Sequence, residues 1–500
     1  MIWHFSKLPI LLQMFWVGAL LMWIPAIHGT IVGNFDEARN FFYGGLLGLF
    51  FVYMLALAQS NRTAIASRFQ LLIMLVLGYV FLPIYLTLPH YFSIGTTRFT
   101  TAYLDMVSAF TTTGFVVFEP YRLNETLHLW RASVGWFGGA IVWVSALSVL
   151  APEGFSGGET RDTKPIGSLG ERTTIDRHAA LQRNIRAFIP FYFGFTLMLW
   201  VALTSLSVAP FEGFIIALSV LSTSGIVGQF DLTSLTPSVP VEALIFFFLC
   251  LALYRRRGSE KREQLSLSTI RRSDEVQLAF YLIVSFTALL ITFQALNSFE
   301  RSEGGNIFDF SIAIWSNIFT LTSFLTTLGW VSAYSDMVQV WGGVSVPAMI
   351  LLGLALIGGG AATTAGGIKL ARIYALYANA LHETGRLLHP SAVGYSVNHA
   401  STKRRQDAFR AWVFFMLFII TMSLVTLGLA LAGLSFETAL VGAISAMSTT
   451  GPLISVFENA QINFTSLNWF GSSVFGIAMI LGRLEVLVLL SLFNMQMWQR

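Results

Sequence analysis

Apolar positions along this chain fall in long unbroken blocks, without the two-residue alternation of a half-buried strand. Blocks of spanning length lie at 8–28, 42–58, 69–89, 129–151, 187–208, 237–254, 275–297, 342–380, 408–432 and 467–494. A helix needs about 20 apolar residues to cross a bilayer core, so the pattern predicts roughly ten membrane spans. Four further apolar stretches, ending near 114, 225, 329 and 451, are too short to cross and stop in Thr, Ser and Gly. Such stretches read as re-entrant, because irregular backbone at membrane depth survives only where it is buried or lines a watery cavity.

Composition removes the soluble alternatives. Of 500 residues, 55% are apolar and 11% charged, with a mean hydropathy of +0.68. Soluble domains carry about 25% charge, and 44 Phe with 13 Trp cannot be left solvated in a disordered chain. A single cysteine, Cys250, permits no intrachain disulfide and reads as a small core or lipid-facing residue. The first block is too long for a signal-peptide core, so it is expected to be a retained span.

The net charge of +4 says little, whereas its distribution sets a topology. With the N-terminus inside, 23 of the 30 basic residues fall on inner segments: Lys7, Arg62, Arg68, the loops 161–186, 255–272 and 372–410, and Arg500. Only Arg39, Arg98, Arg122, Arg131 and Arg301 fall outside. This positive-inside bias predicts a multi-pass cell-membrane protein with both termini cytoplasmic and all four short stretches on the outer side. Asp36, Glu37, Glu119, Glu125, Glu300 and Glu303 make that side mildly acidic, which favours cations. The basic tracts at 255–272 and Lys403 to Arg405 read first as anchors solvated by head groups. Binding of anionic membrane lipid or of a cytoplasmic partner is the alternative; no nucleic-acid partner is expected.

The short stretches repeat one another. They read Ser108-Ala-Phe-Thr111-Thr112-Thr113-Gly114, Ser219-Val-Leu-Ser222-Thr223-Ser224-Gly225, Ser323-Phe-Leu-Thr326-Thr327-Leu328-Gly329 and Ser445-Ala-Met-Ser448-Thr449-Thr450-Gly451. Each has Ser six residues before Gly and the same Thr two residues before it. Self-similarity at a near-constant period outranks local reading. A short helix ending partway leaves carbonyls with partial negative charge, and Gly after it can adopt the positive φ that turns carbonyls toward an axis. Four such turns would form a ring of hard oxygen ligands able to replace the hydration shell of an alkali cation. One Thr–Gly motif alone would read as helix packing; four at one offset favour conduction.

These motifs resemble the TrkH/KtrB family of potassium uptake subunits, specifically its TrkH branch, from about residue 40 to the C-terminus. The resemblance also rests on Trp136-Phe-Gly138-Gly139, on Gly358-Gly-Gly-Ala-Ala-Thr-Thr-Ala-Gly-Gly367-Ile-Lys369, and on Gly482-Arg483-Leu484-Glu485. It implies an all-α polytopic fold of four pseudo-repeated span–pore-loop–span units around a central pore, with two N-terminal spans. The expected boundaries are 1–60 for those spans, then units at 61–160, 161–272, 273–390 and 391–500. It implies a potassium-binding filter at Thr112, Thr113, Gly114, Thr223, Ser224, Gly225, Thr327, Leu328, Gly329, Thr449, Thr450 and Gly451, with Gly114 favouring potassium where serine would favour sodium. It further implies a homodimer with a pore in each subunit and a cytoplasmic nucleotide-binding ring of the TrkA/KtrA type. No covalently bound cofactor is expected, and nucleotide is expected on the partner alone. Leu328 and Trp330 depart from the family's usual Thr and Phe, so the third turn must rely on backbone carbonyls at 328.

Residues 358–367 hold five glycines, each costing about 0.8–1.0 kcal/mol in a helix, so the third inner helix should break there. The break is a gate or a tightly packed kink; the resemblance implies a gate beneath the filter, formed by Gly358, Gly359, Gly360, Gly366, Gly367 and Lys369. Lys369 either adds to that barrier or snorkels to the cytoplasmic surface. Arg483, deep in an apolar block, is either a barrier to cations below the filter, as the resemblance implies, or one half of a buried ion pair. Asp105, Glu212, Asp309 and Glu437, near the starts of the short helices, read as N-terminal caps. The competing function classes are a sodium- or proton-coupled secondary cation transporter and a membrane-embedded enzyme. The eight histidines lie in loops or near span ends, and no His-x-x-x-His or cysteine cluster is present, so neither class gains support.

Overall fold

The computed structural model describes residues 9–59, 68–146, 174–228, 238–253, 273–300, 307–361, 363–388, 399–457 and 460–484. Lys7, Arg62, the tract 255–272, most of the loop 161–186, Glu485 and Arg500 therefore lie outside the described residues or have no described side chain. Every regular element among the described residues is helical. The N-terminal part consists of α1 (Ile10–Leu21), α2 (Trp23–Val32) and α3 (Phe35–Ala58). Helices α1 and α2 run on through the helical residue Met22, and left-handed Gly33 turns the chain into α3.

The same succession then occurs four times: a long helix, a shorter one, a tight turn and a returning helix. The first is α4 (Arg68–Ile94), α5 (Phe99–Phe110) and α6 (Glu125–Ser145); the second is α7 (Thr174–Ser205), α8 (Pro210–Ser222) and α9 (Val239–Leu251). The third is α10 (Asp274–Glu300) and α11 (Ile307–Leu325), returning through α12 (Ser335–Gly342), α13 (Ala348–Ile357) and α14 (Leu370–Leu388). The fourth is α15 (His399–Leu431), α16 (Phe436–Ser448), the single turn α17 (Leu453–Val456) and α18 (Trp469–Leu484).

Seven of the described helices are long and apolar enough to cross a membrane. Three expected spans, at 129–151, 237–254 and 467–494, run into residues that are not described. The 342–380 block is broken between α13 and α14, where its glycines lie. One of the four short stretches is longer than expected. Helix α11 has 19 residues, long and apolar enough to cross, whereas α5, α8 and α16 have 12, 13 and 13. Asp309 and Asn317 interrupt its apolar run, so the hydropathy pattern alone shortens it, while Ile307 and Phe308 stay exposed at its N-terminal end.

Without a hydrophobic driving force between helices in lipid, small residues at contacts let backbones approach. Gly138 packs on the carbonyl of Phe110 at the end of α5, and Gly482 on the carbonyl of Met447 at the end of α16; a Cβ at either would overlap that oxygen. Two of the returning helices, α6 and α18, are thereby pressed against the C-terminal ends of the short helices α5 and α16, and the residues of all four turns are buried.

Candidate functional site: a ring of four turns

Each short helix ends in the same motif. Thr112, Thr223, Thr327 and Thr449 take left-handed backbone, with φ of 54°, 50°, 62° and 54°. Their amides bond the carbonyls three residues back, Ala109, Val220, Phe324 and Ala446, at 2.9–3.3 Å. The next amides, of Thr113, Ser224, Leu328 and Thr450, bond the carbonyls of Ser108, Ser219, Ser323 and Ser445 at 2.9–3.0 Å. This is the Schellman helix stop, with threonine where glycine is usual. A β-branched residue at positive φ is an outlier costing about 1–2 kcal/mol. Such strain persists where surrounding structure enforces it, and it clusters at functional sites.

Gly114, Gly225 and Gly329 also take positive φ, at 74°, 65° and 81°. Gly451 does not: Pro452 follows it, and it is glycine because a Cβ would strike Gly114, Phe115 and the Thr113 carbonyl. The serine six residues before each glycine locks the turn. Ser108 Oγ accepts from Phe115 N, and Ser323 Oγ from Trp330 N, both at 2.7 Å. Proline has no N–H to give, so in the fourth turn Ser445 Oγ donates to Thr450 O at 2.6 Å instead.

The four turns close on one another in chain order. A Cβ on Gly114 would overlap the Ser224 carbonyl, and one on Gly225 the Leu328 carbonyl. One on Gly329 would stand 3.1 Å from Thr450 Cγ2 and Pro452 Cβ. Gly451 N donates to Thr113 O at 2.6 Å, joining the last turn to the first. The side chains of Thr112, Thr113, Thr223, Ser224, Thr327, Leu328, Thr449 and Thr450 are all buried. In the first three turns two left-handed residues flank one of ordinary handedness.

The broken segment between α13 and α14 lies against this ring. Gly366 N donates to Thr327 Oγ1 at 2.8 Å, and a Cβ on Gly366 would overlap Ser448 O and Thr449 Oγ1. Gly358 and Gly367, at φ of 73° and 76°, pack on each other's backbone and pinch the loop shut. Gly360 N bonds Ala252 O in the residue after α9 at 3.2 Å, and Ala361 N bonds Glu275 Oε2 at 2.9 Å. Lys369 is buried and folds back to donate to the Ala365 carbonyl, so it does not extend to the surface. Arg483 is buried, with Nη1 3.4 Å from Thr449 Oγ1, and no carboxylate among the described residues pairs with it. Gly366 and Arg483 thus reach the ring, whereas Gly360 and Lys369 do not.

The acidic residues divide. Glu212, Asp309 and Glu437 lie in the first turns of α8, α11 and α16, where negative charge is favoured; the N-cap of α16 is Ser435, accepting from Thr438 N at 3.3 Å. Asp105 is not a cap. Helix α5 begins at Phe99, and Asp105 sits midway along it, fully buried, 3.0 Å from His90 Nε2 and 3.1 Å from Arg131 Nε. Arg131 Nη2 in turn donates to the Phe115 carbonyl at 2.8 Å, just past Gly114. An Asp105→Asn chain is expected to lose about 3–5 kcal/mol of stability by stranding the buried guanidinium, read as a lower melting temperature in detergent; an unchanged melting temperature would show that Arg131 is held otherwise.

Sequence reasoning also passed over Glu242 and Pro452. Glu242, in α9, accepts from Trp315 Nε1 at 2.8 Å, Ser332 Oγ at 2.9 Å and Ala333 N at 2.7 Å, fastening the chain just beyond the third turn. Its signal was a carboxylate inside an apolar block. Pro452 packs on both Gly225 and Gly329.

Comparison with known proteins agrees with this architecture. A Trk system potassium uptake protein of Halomonas elongata, TrkI, is 26% identical over 509 residues, covering 99% of this chain and 96% of the relative. The Trk system potassium uptake protein TrkH of Escherichia coli K12 is 27% identical over 407 residues, 80% of each chain. The crystal structure of the potassium transporter TrkH from Vibrio parahaemolyticus superposes with a TM-score of 0.79 over 99% of both chains at 20% identity, which establishes the shared fold. Residues 245–500 match the TrkH family model, described as a cation transport protein. This multi-pass membrane chain belongs to the TrkH family of cation transport proteins.

Proposed function

We propose that the protein takes up potassium across the cell membrane by gated, channel-like permeation, with the four turns as its selectivity filter. The observation that carries this reading is the closed ring: four Schellman turns, each with a left-handed threonine, meeting in chain order. The relatives reported above are named as potassium uptake proteins, which fits a transporter rather than an enzyme. Backbone carbonyls supply the ligands, and at Leu328 they alone do so. The loop at 358–367 and Arg483 form the barrier below, since both touch the threonines at the base of the ring. The fourfold succession of elements supports domain units at 61–160, 161–272, 273–390 and 391–500, after two extra helices in 1–60.

Glu242 is engaged by three donors and Asp105 by a guanidinium and an imidazole, so neither is free to exchange an ion as a coupled transporter would require of its carboxylate. The system name borne by the relatives supports further components; the proposal includes a cytoplasmic nucleotide-binding ring of the TrkA/KtrA type meeting the basic inner segments, and a homodimer. Both termini are assigned to the cytoplasm by the distribution of Lys and Arg.

The test is growth at low potassium of an uptake-deficient cell expressing the chain with its regulatory subunit, beside Gly114→Ser. The wild type restores growth. Gly114→Ser, whose Cβ must displace the Ser224 carbonyl, lowers the potassium-over-sodium preference by about tenfold, the equivalent of roughly 1.4 kcal/mol. A wild type that does not support growth rejects the assignment, and an unchanged preference in Gly114→Ser rejects the filter.

A further inference from the structure

The residues that follow the four filter glycines are Phe115, Ile226, Trp330 and Pro452. Among them only Trp330 has a side chain able to donate a hydrogen bond. It uses that donor on the ring itself: Trp330 Nε1 lies 3.1 Å from the carbonyl oxygen of Gly225, the filter glycine of the second turn, 105 residues earlier in the chain. Trp330 is 4% exposed, and its backbone N–H is taken by Ser323 Oγ at 2.7 Å, so the indole is fixed at its root and at its tip. At the same position of the first turn, the Phe115 ring, which has no donor, packs on the rings of Phe464 and Phe475 at centroid distances of 5.0 and 5.8 Å.

We infer that Trp330 is a positioning residue for ion selection, its indole N–H setting the direction of the Gly225 carbonyl and the spacing between the second and third turns. The inference rests on the filter reading above. A carbonyl oxygen has two lone pairs, so one can hold the indole while the other faces the axis. The brace stands at the place where the ring is chemically poorest. Leu328, two residues before Trp330, supplies no hydroxyl, and its carbonyl is the group packed against Gly225. Of the two junctions that the second turn makes, the one with the third turn therefore lacks a hydroxyl on one side, and the indole adds a polar tie there. Bound through a rigid bicyclic ring, the Gly225 oxygen has less freedom to close in around a smaller cation. Resistance to that inward movement is how a cage sized for potassium disfavours sodium.

The experiment measures potassium and sodium uptake in the same uptake-deficient cells, with the full-length chain and its regulatory subunit, for wild type and Trp330→Phe. Replacement by benzothienylalanine, which keeps the bicyclic shape and removes only the donor, serves as a second variant that tolerates the same packing. The amount of each variant in the membrane is measured alongside. The expected result is a potassium-over-sodium preference reduced roughly three- to tenfold in both variants, the change that loss of one net hydrogen bond produces. An unchanged ratio in a selective wild-type background overturns the inference and leaves the filter reading intact. Equal loss of both fluxes at constant ratio also overturns it, because it assigns Trp330 to packing alone. A wild type with no preference for potassium fails the filter reading itself, and the inference falls with it.

Discussion

A Gly225→Ala chain is expected to reach the membrane in normal amount and to carry less than about one per cent of the wild-type potassium flux, a loss of roughly 2.7 kcal/mol. Two penalties coincide at this residue. Its φ of 65° is left-handed, which costs an L-residue about 1–2 kcal/mol. Its Cβ would also overlap the Leu328 carbonyl and stand 2.8 Å from Pro452 Cγ. Neither neighbour is the far end of a flexible side chain: one is backbone and the other a proline ring. The third turn must therefore move, and with it the spacing of the ring. Gly433→Ala is the control, because Gly433 has a φ of 101° but nothing within 4 Å of its Cβ position. It carries the same kind of backbone strain outside the ring, so its flux per molecule should stay near wild type. Normal uptake by Gly225→Ala would mean that the second and third turns do not meet at the ion path.

Arg483→Ala is expected to act in the opposite direction and raise potassium flux by about tenfold or more. A guanidinium near a permeating cation opposes it by about 2 kcal/mol at a separation of roughly 7 Å and an effective dielectric near 20. Because Arg483 touches Thr449 at the base of the ring and pairs with no described carboxylate, its removal strands no buried charge among the described residues, and costs only its neutral contacts with Thr449 and the buried Tyr79 hydroxyl. Arg483→Lys keeps the charge and should keep the flux low. The measurement is unidirectional potassium flux normalised to protein in the membrane. An Arg483→Ala chain that is unfolded or inactive would identify the arginine as a structural staple.

The fourfold plan was readable because its signal is local and repeated. The same Ser-x-x-(Ser/Thr)-Thr-x-Gly spacing recurs behind an apolar run, and hydropathy needs no tertiary information to find it. The break at 358–367 was readable for a similar reason, since five glycines cannot continue a helix. The left-handed threonines were not readable. Intrinsic preference argues against a β-branched residue at positive φ, and only the neighbouring turns enforce it, so the sequence pointed to glycine as the sole turning residue. Asp105 was misread because its partners are His90 and Arg131, on two other helices; proximity to a helix start is visible in a sequence, and a long-range ion pair is not. The length of α11 was hidden by Asp309 and Asn317, polar residues that tertiary packing accommodates. The tie from Trp330 to Gly225 spans 105 residues, beyond what any local pattern encodes.

The ring of turns belongs to one polypeptide, and that has a consequence for how its selectivity can change. In a pore built from four identical subunits, a single codon change alters every quadrant at once, and the ligand cage passes from one symmetric form to another. Here the residues after the filter glycines already differ in every quadrant: Phe115, Ile226, Trp330 and Pro452. In the proposed filter one substitution would change one quarter of the cage, while the other three quarters would stay as they are. With the four turns as the proposed filter, selectivity would be tuned in quarter-steps, and a hydroxyl missing at Leu328 would be a change of that size.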